Sequence, residues 1–257
     1  MRRRYPANVN VCIGTAGWSI PRASAAACPG AGTHLHRYAR LFRAAEINSS
    51  FHRPHAASTY AKWTDCVPRE FRFAVKVPRA ITHDARLRRS RSALEEFLDE
   101  TRGLGRRHGP LLVQLPPSFE FDVRAVKRFF ELLRSTFNGS VVCEPRHATW
   151  FTERADRLLR DFRIARVAAD PPPVPGANQP GGWPGLVYFR LHGSPRMYWS
   201  HYTADFLEDI AARLRDGPAE RWCIFDNTAS GAALANALEL QRLLSDVTSS
   251  YGSRLGK

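Results

Sequence analysis

The stretch FRFAVKVP, residues 71–78, places Phe71, Phe73, Val75 and Val77 at every second position. A period of two is the signature of a β-strand, whose successive side chains point to opposite faces. The large apolar residues take one face. Lys76 falls on the other, and an unpaired ammonium group inside a core carries a heavy desolvation cost. The fold must therefore bring anionic groups to that face.

Runs of the same kind recur along the chain. They lie at 9–18, 44–51, 71–78, 110–117, 140–147, 164–171, 185–193 and 221–228, giving eight expected strands. Between them stand helical patterns at 34–44, 92–105, 122–135, 153–162, 204–217 and 230–244, with a weaker one at 56–66. Ser92 and Glu95 suggest a capping box, and Asp122 an N-cap. The segment PPPVPGANQPGGWPG (171–185) is too rich in Pro and Gly for a helix. The series predicts a (β/α)₈ TIM barrel in one domain spanning 1–257, with a Pro/Gly-rich loop in place of the helix after strand six. An open doubly wound sheet is the alternative.

Extending the alternation to the other strands sorts their polar residues. With Val187, Phe189 and Leu191 outward, Arg190 and His192 point inward. With Ala45 and Ile47 outward, Glu46 and Asn48 point inward. Gln114 joins them from strand four, and Glu144 and Arg146 share a face of strand five. Lys76 would then meet Glu46, Glu144 and Arg190, a set that balances its own charge. A purely structural ion network is the other reading of this set. The polar positions come late in their strands, where barrel enzymes place their chemistry. The loops beyond add His83, His147, Asp170, Asp226, Asn227 and Trp18.

The chain has 257 residues, 44% hydrophobic, and a net charge of +14. Such a basic excess fits a nucleic acid or a small anionic ligand. Only four of the 38 basic residues are lysine (Lys62, Lys76, Lys127 and Lys257), so an arginine-favouring genome composition accounts for the charge as well. The five cysteines are scattered and form no C-x-x-C pair. That excludes a zinc knuckle or thioredoxin motif and fits a reduced, cytoplasmic setting. No apolar run reaches about 18 residues, and none follows the basic start MRRR, so neither a membrane span nor a secretion signal is expected. There is no Walker loop, no G-x-G-x-x-G and no G-x-S-x-G.

The strand-end motifs IGTAGWS (13–19), EINSSF (46–51), VKVPRAITH (75–83), LLVQLPPSF (111–119), CEPRHATWF (143–151), YFRLHG (188–193) and FDNTASGAALANAL (225–238) resemble the YecE-like family, a domain-of-unknown-function family. The resemblance covers nearly the whole chain and implies a TIM barrel, but no reaction. The family commonly has tyrosine where this chain has His52, and often Asn-Asn at Asp226-Asn227.

Four chemistries suit these residues. In the first, loops HGSPR (192–196) and NTASG (227–231) bind phosphate, with or without a divalent metal held by Glu46, Glu144, His147, Asp170, His192 or Asp226. Capping of a helix by Thr228 or Ser230 is the plain alternative for the second loop. In the second, Glu144 and Glu46 act as general acid and base, with Trp18, Trp150 or Trp199 stacking on a sugar or base. In the third, Lys76 forms a Schiff base. In the fourth, a non-catalytic barrel binds nucleic acid or a phosphorylated ligand. The favoured expectation is a hydrolase or lyase acting on an anionic substrate. Glu144, Glu46 and Lys76 would be catalytic. Asn48, His83, Gln114, Arg146, His147, Asp170, Arg190, His192, Asp226, Asn227 and Trp18 would bind the substrate.

Overall fold

The computed structural model describes residues 11–218 and 220–252; the first two positions of the expected strand at 9–18 lie outside them. The fold is mixed α/β with two parallel sheets. The strands are β1 (Val11–Thr15), β2 (Ala44–Ile47), β3 (Arg72–Lys76), β4 (His108–Gln114), β5 (Val141–Glu144), β6 (Ile164–Arg166), β7 (Ala168–Asp170), β8 (Gly181–Gly182), β9 (Leu186–Leu191) and β10 (Glu220–Phe225). One sheet runs β1-β10-β9-β7, the other β2-β3-β4-β5-β6-β8, and only the β6–β8 pairing is antiparallel.

The expected strand at 164–171 is divided. Its first half, β6, pairs with β5, and after Val167 its second half, β7, pairs with β9. One segment thus serves both sheets. At the opposite edges, Ala16 bridges Glu46 in parallel, and Gly17 N–H donates to Glu46 O at 2.8 Å.

The helices are α1 (His34–Tyr38), α2 (Ala57–Asp65), α3 (Arg91–Thr101), α4 (Val123–Thr136), α5 (Glu153–Asp161), α6 (Ala204–Arg215) and α7 (Ala232–Gly252). Asp122 caps α4 by accepting from Arg124 N and Ala125 N. The capping box expected at Ser92 and Glu95 is not formed. The N-cap of α3 is Ser90, two residues earlier, and it spends its hydroxyl on Arg88 O. The segment 171–185 holds no helix. It is tied down by Asp156, which accepts from Arg166 Nε at 2.9 Å and from Gly182 N at 3.1 Å.

Two apolar clusters fill the interior. The larger joins helices to the outward strand positions, including Phe71, Phe73, Val75, Val77, Phe189 and Leu191. The smaller is built almost wholly by strands of both sheets: Ala44, Ala74, Leu112, Val142, Ala165, Leu186, Tyr188, Trp222 and Ile224. Two residues further along, the same strand faces carry Glu46, Lys76, Gln114, Glu144, Arg190 and Asp226. Each of these strands is apolar early and polar or ionic late on one face, and parallel pairing gathers the late positions at one end.

Candidate functional site

Arg190 lies at the centre of this end. From β9 its Nε and Nη2 reach the Glu46 carboxylate on β2 at 3.0 and 2.6 Å, and Nη1 reaches Glu144 Oε2 on β5 at 2.6 Å. Nη2 also reaches Asp226 Oδ2, just past β10, at 3.1 Å. Arg190 is 0% exposed. A guanidinium this deep is tolerable because its planar fork meets three carboxylates with good geometry. Those anions outweigh the effect of burial and hold its pKa well above the ordinary value.

His192 lies between two of the same carboxylates. Nε2 is 3.0 Å from Glu144 Oε1, and Nδ1 is 3.0 Å from Asp226 Oδ2. Burial alone would disfavour the imidazolium, but Glu144 and Asp226 raise its pKa overall. Burial pushes the Glu144 carboxyl upward; Arg190, His192 and Arg146 together hold it well below the usual range. Asp226 is lowered by the same balance of burial against Arg190 and His192. Arg146 Nη2 closes the set at 3.1 Å from Glu144 Oε1. Tyr188 donates to Glu46 Oε2 at 2.8 Å.

Every oxygen of Glu46 and Glu144 is therefore engaged. Asp226 differs. Its Oδ2 takes both bonds, and its Oδ1 has no partner among the described residues. Its side chain is 13% exposed, against 0% for Glu46 and 1% for Glu144.

Lys76 is half-buried and forms no ion pair among the described residues. Its Nζ sits 4.0 Å from the centroid of the Phe51 ring. Burial and Arg190 outweigh Glu144, Glu46 and Asp226, lowering its pKa to about 8. The sequence reading brings Lys76 to the correct face and neighbourhood. The carboxylates it would have paired with are already matched to arginine and histidine.

The other candidates divide. His83 is half-buried with its ring edge against Phe51, and burial, Lys76 and Arg79 depress its pKa to about 4. Gln114 is buried beside Glu144 in register. Asn48 Oδ1 is buried without a partner among the described residues. Asp170 accepts from the Tyr202 hydroxyl at 2.9 Å, and burial raises its carboxyl.

Three candidates fall away from the cluster. His147 caps a short helical turn by accepting from Thr149 N. Asn227 ties Ser200 O to Asn236 Oδ1. Trp18 packs edge-on against Trp63 and Phe73. Trp150 is buried and donates to Phe119 O. At NTASG, Ser230 Oγ accepts from Ala232 N and Asn227 O from Ala233 N, so the cap reading holds there. Sequence reasoning missed Tyr188, although it shares the parity of Arg190. It also missed Tyr198, whose ring edge meets His192 at 5.6 Å.

The residues do not suit a divalent metal. No group of three or more His, Cys, Asp or Glu among the described residues is placed to hold one. The carboxylates that would bind it are bound by Arg190 and His192. Nor is any helix among the described residues long and apolar enough to cross a membrane.

A model of the family described as protein of unknown function DUF72 matches residues 12–254. The chain belongs to the DUF72 family. It is 30% identical over 174 residues to the UPF0759 protein YecE of Escherichia coli K12, covering 65% of this chain and 62% of that relative. The match thus spans less than two thirds of the curated relative's length. A DUF72 family protein of Enterococcus faecalis V583 superposes with a TM-score of 0.76 at 20% identity, over 91% of this chain and 95% of that one. For a DUF72 protein of Thermotoga maritima MSB8 the figures are 0.75, 25%, 91% and 98%. SacUVDE shares the fold more distantly, with a TM-score of 0.55 at 9% identity over 83% of this chain and 82% of its own.

Proposed function

We propose that this DUF72 protein is a hydrolase or lyase acting on an anionic, phosphorylated or nucleic-acid-derived substrate. In this reading the two sheets form one (β/α)₈ cylinder and the ionic cluster lies at its mouth. The passage of one segment from β6 into β7 and the bridge from Ala16 to Glu46 support that closure.

One observation carries the functional reading: Lys76 is a desolvated cation without an ion-paired carboxylate, beside a cluster whose anions are already matched. Three carboxylates face Arg190, Arg146, Lys76 and a histidine of raised pKa. Protonating His192 leaves a surplus positive charge, which an anion from solution would neutralise. Lys76 and Arg146 then meet the substrate charge. Arg190, sealed from solvent, fixes the carboxylates from behind. The acid–base role passes to Asp226, whose Oδ1 is open. Glu144 and Glu46 set the charge of His192 and Arg190 instead.

A second reading, a non-catalytic barrel that binds a phosphorylated ligand or nucleic acid, is favoured by the complete engagement of Glu46 and Glu144. An assay with a phosphate monoester, a diester, a sugar phosphate and a short oligonucleotide separates the two. The enzyme reading expects turnover of one class, lost in Lys76→Met with thermal stability retained, and lost in Asp226→Asn with the secondary structure intact by circular dichroism. Binding without turnover supports the second reading, and neither binding nor turnover defeats both.

A further inference from the structure

The starts of α3 and α4 frame an open groove of about 550 Å³ whose lining shares no residue with the ionic cluster. Its floor is apolar: Leu87, Ala125, Phe129 and Leu132. Its walls carry Arg88, Arg89, Arg91, Arg124 and Arg128, with Asp122 the one acid. Arg88 is paired with Asp122 at 2.9 Å and Arg91 with Glu95 at 3.2 Å. Arg89, Arg124 and Arg128 are exposed, and their side chains have no hydrogen bond or ion pair among the described residues.

This placement is held by the backbone. Arg86, Leu87 and Arg89 adopt φ of 48°, 63° and 48°, a region costly for residues other than glycine. Leu87 is buried as the anchor, and its N–H donates to Ile81 O at 2.9 Å. Arg86 is fastened to Ser118 Oγ at 3.0 Å. The loop so fixed keeps like charges together that would otherwise repel. Arg124 and Arg128 stand four apart on α4, about 6 Å between their Cβ atoms, comparable to successive phosphates along a strand.

We infer that this groove binds the phosphate backbone of a single-stranded nucleic acid. The groove follows β3 and β4, so it opens at the same end of the sheets as Lys76. After β9, at that same end, Tyr198 and Trp199 are 40% and 46% exposed, with Arg196 4.6 Å over the Trp199 ring. The loop that presents them is held by Ala229 N–H to Tyr198 O at 3.0 Å. Guanidinium groups for phosphates together with exposed aromatic rings for bases are what a single strand requires. The inference deepens the anionic-substrate reading by naming the class. It rests on that reading only for the strand's path toward Lys76; the groove's own contacts are independent of it.

The test is fluorescence anisotropy with a labelled 20-nucleotide single strand over a range of salt, about 20 nucleotides being enough to exceed one site. The variant Arg89→Gln/Arg124→Gln/Arg128→Gln should lose affinity at least tenfold. Its slope of log K against log salt should fall by about 2, at ~0.7 for each phosphate contact. The control Arg69→Gln/Arg106→Gln/Arg107→Gln removes the same charge ahead of β3 and β4, at the opposite end, and should bind as the parent does. Equal losses in both variants, or none in the groove variant, overturn the inference. So does equal affinity for the duplex of the same sequence. Lys76→Met separates the two proposals. If it leaves strand affinity intact while the groove variant loses it, the groove stands and the pocket's claim on nucleic acid fails. The reverse pattern overturns the groove and leaves the pocket.

Discussion

Arg190 and Glu46 meet through two parallel hydrogen bonds, Nη2 to Oε1 at 2.6 Å and Nε to Oε2 at 3.0 Å, with neither side chain reaching solvent. Arg190 belongs to one sheet and Glu46 to the other, so the pair ties the two together. Arg190→Met would leave Glu46, Glu144 and Asp226 buried or nearly so without their shared cation. Urea unfolding is expected to show a loss of about 3–5 kcal/mol. Arg190→Lys should not restore it, because one ammonium cannot reproduce four directed bonds. A loss under about 1 kcal/mol, the size of an exposed pair, would remove Arg190 from the centre of the account.

Lys76 sets a pH dependence for anion binding. With its pKa lowered to about 8, it is charged below that value and neutral above. Sulfate keeps its charge throughout, so calorimetric titration with sulfate should show affinity falling as pH rises through about 8. Lys76→Met should bind weakly at all pH values and lose that inflection. An unchanged profile in the variant would assign the binding to another group.

Stability should follow pH in three separate ways. The raised pKa of His192 gives stability that is full below the ordinary histidine value near ~6.5 and lost as pH rises through the folded value. Lys76 works oppositely: between about 8 and its ordinary value near ~10.4 the unfolded chain binds more protons, so stability rises with pH. The lowered carboxyls of Glu144 and Asp226 give stability present above the ordinary range near ~4 and lost as pH falls through their folded values. Thermal melts of His192→Gln should lack the first dependence and show a weaker third, because His192 helps to lower the Glu144 and Asp226 carboxyls. Asp226→Asn should lower the pKa of His192, read by imidazole nitrogen NMR; an unmoved value would contradict the bracketing of His192 by two carboxylates.

Gly14 permits the approach of β1 to β2. A Cβ there would stand 2.1 Å from Ala44 O, the oxygen that accepts from Tyr38 OH at 2.9 Å. Backbone cannot yield cheaply, so Gly14→Ala should destabilise by at least about 1–3 kcal/mol, the usual cost of overpacking. A neutral substitution would mean that the two edges are not held closely together, and the proposed closure would lose its main support.

Much of this arrangement was legible in the sequence because alternation is strict in a strand. Once Phe73 and Val75 are assigned to the helices, Lys76 has one direction left, and the same logic placed Glu46, Arg190 and His192. Tyr188 was legible by that rule and overlooked. What could not be read is geometry that depends on loops. His147 looks like a ligand but serves as a cap, because a cap and a ligand use the same lone pair. Asn227 and Trp18 lie near the right strand ends and turn to other neighbours. Tyr198 reaches His192 through a left-handed backbone at φ 65°, for which a tyrosine gives no sequence signal. The division of strand six at Val167 follows from pairing partners far apart in the chain. Which cation each carboxylate takes depends on distance, and alternation gives only direction.

The central claim is that Lys76 is a desolvated ammonium without an ion pair, poised to receive an anion. The chain has only four lysines, so ¹³Cε-lysine NMR should resolve them with little overlap, and Lys76→Arg identifies the signal. The account expects the Lys76 resonance to titrate near about 8 and to move upward in pH when sulfate is added. A Lys76 resonance titrating near ~10.4 and unmoved by sulfate would contradict it.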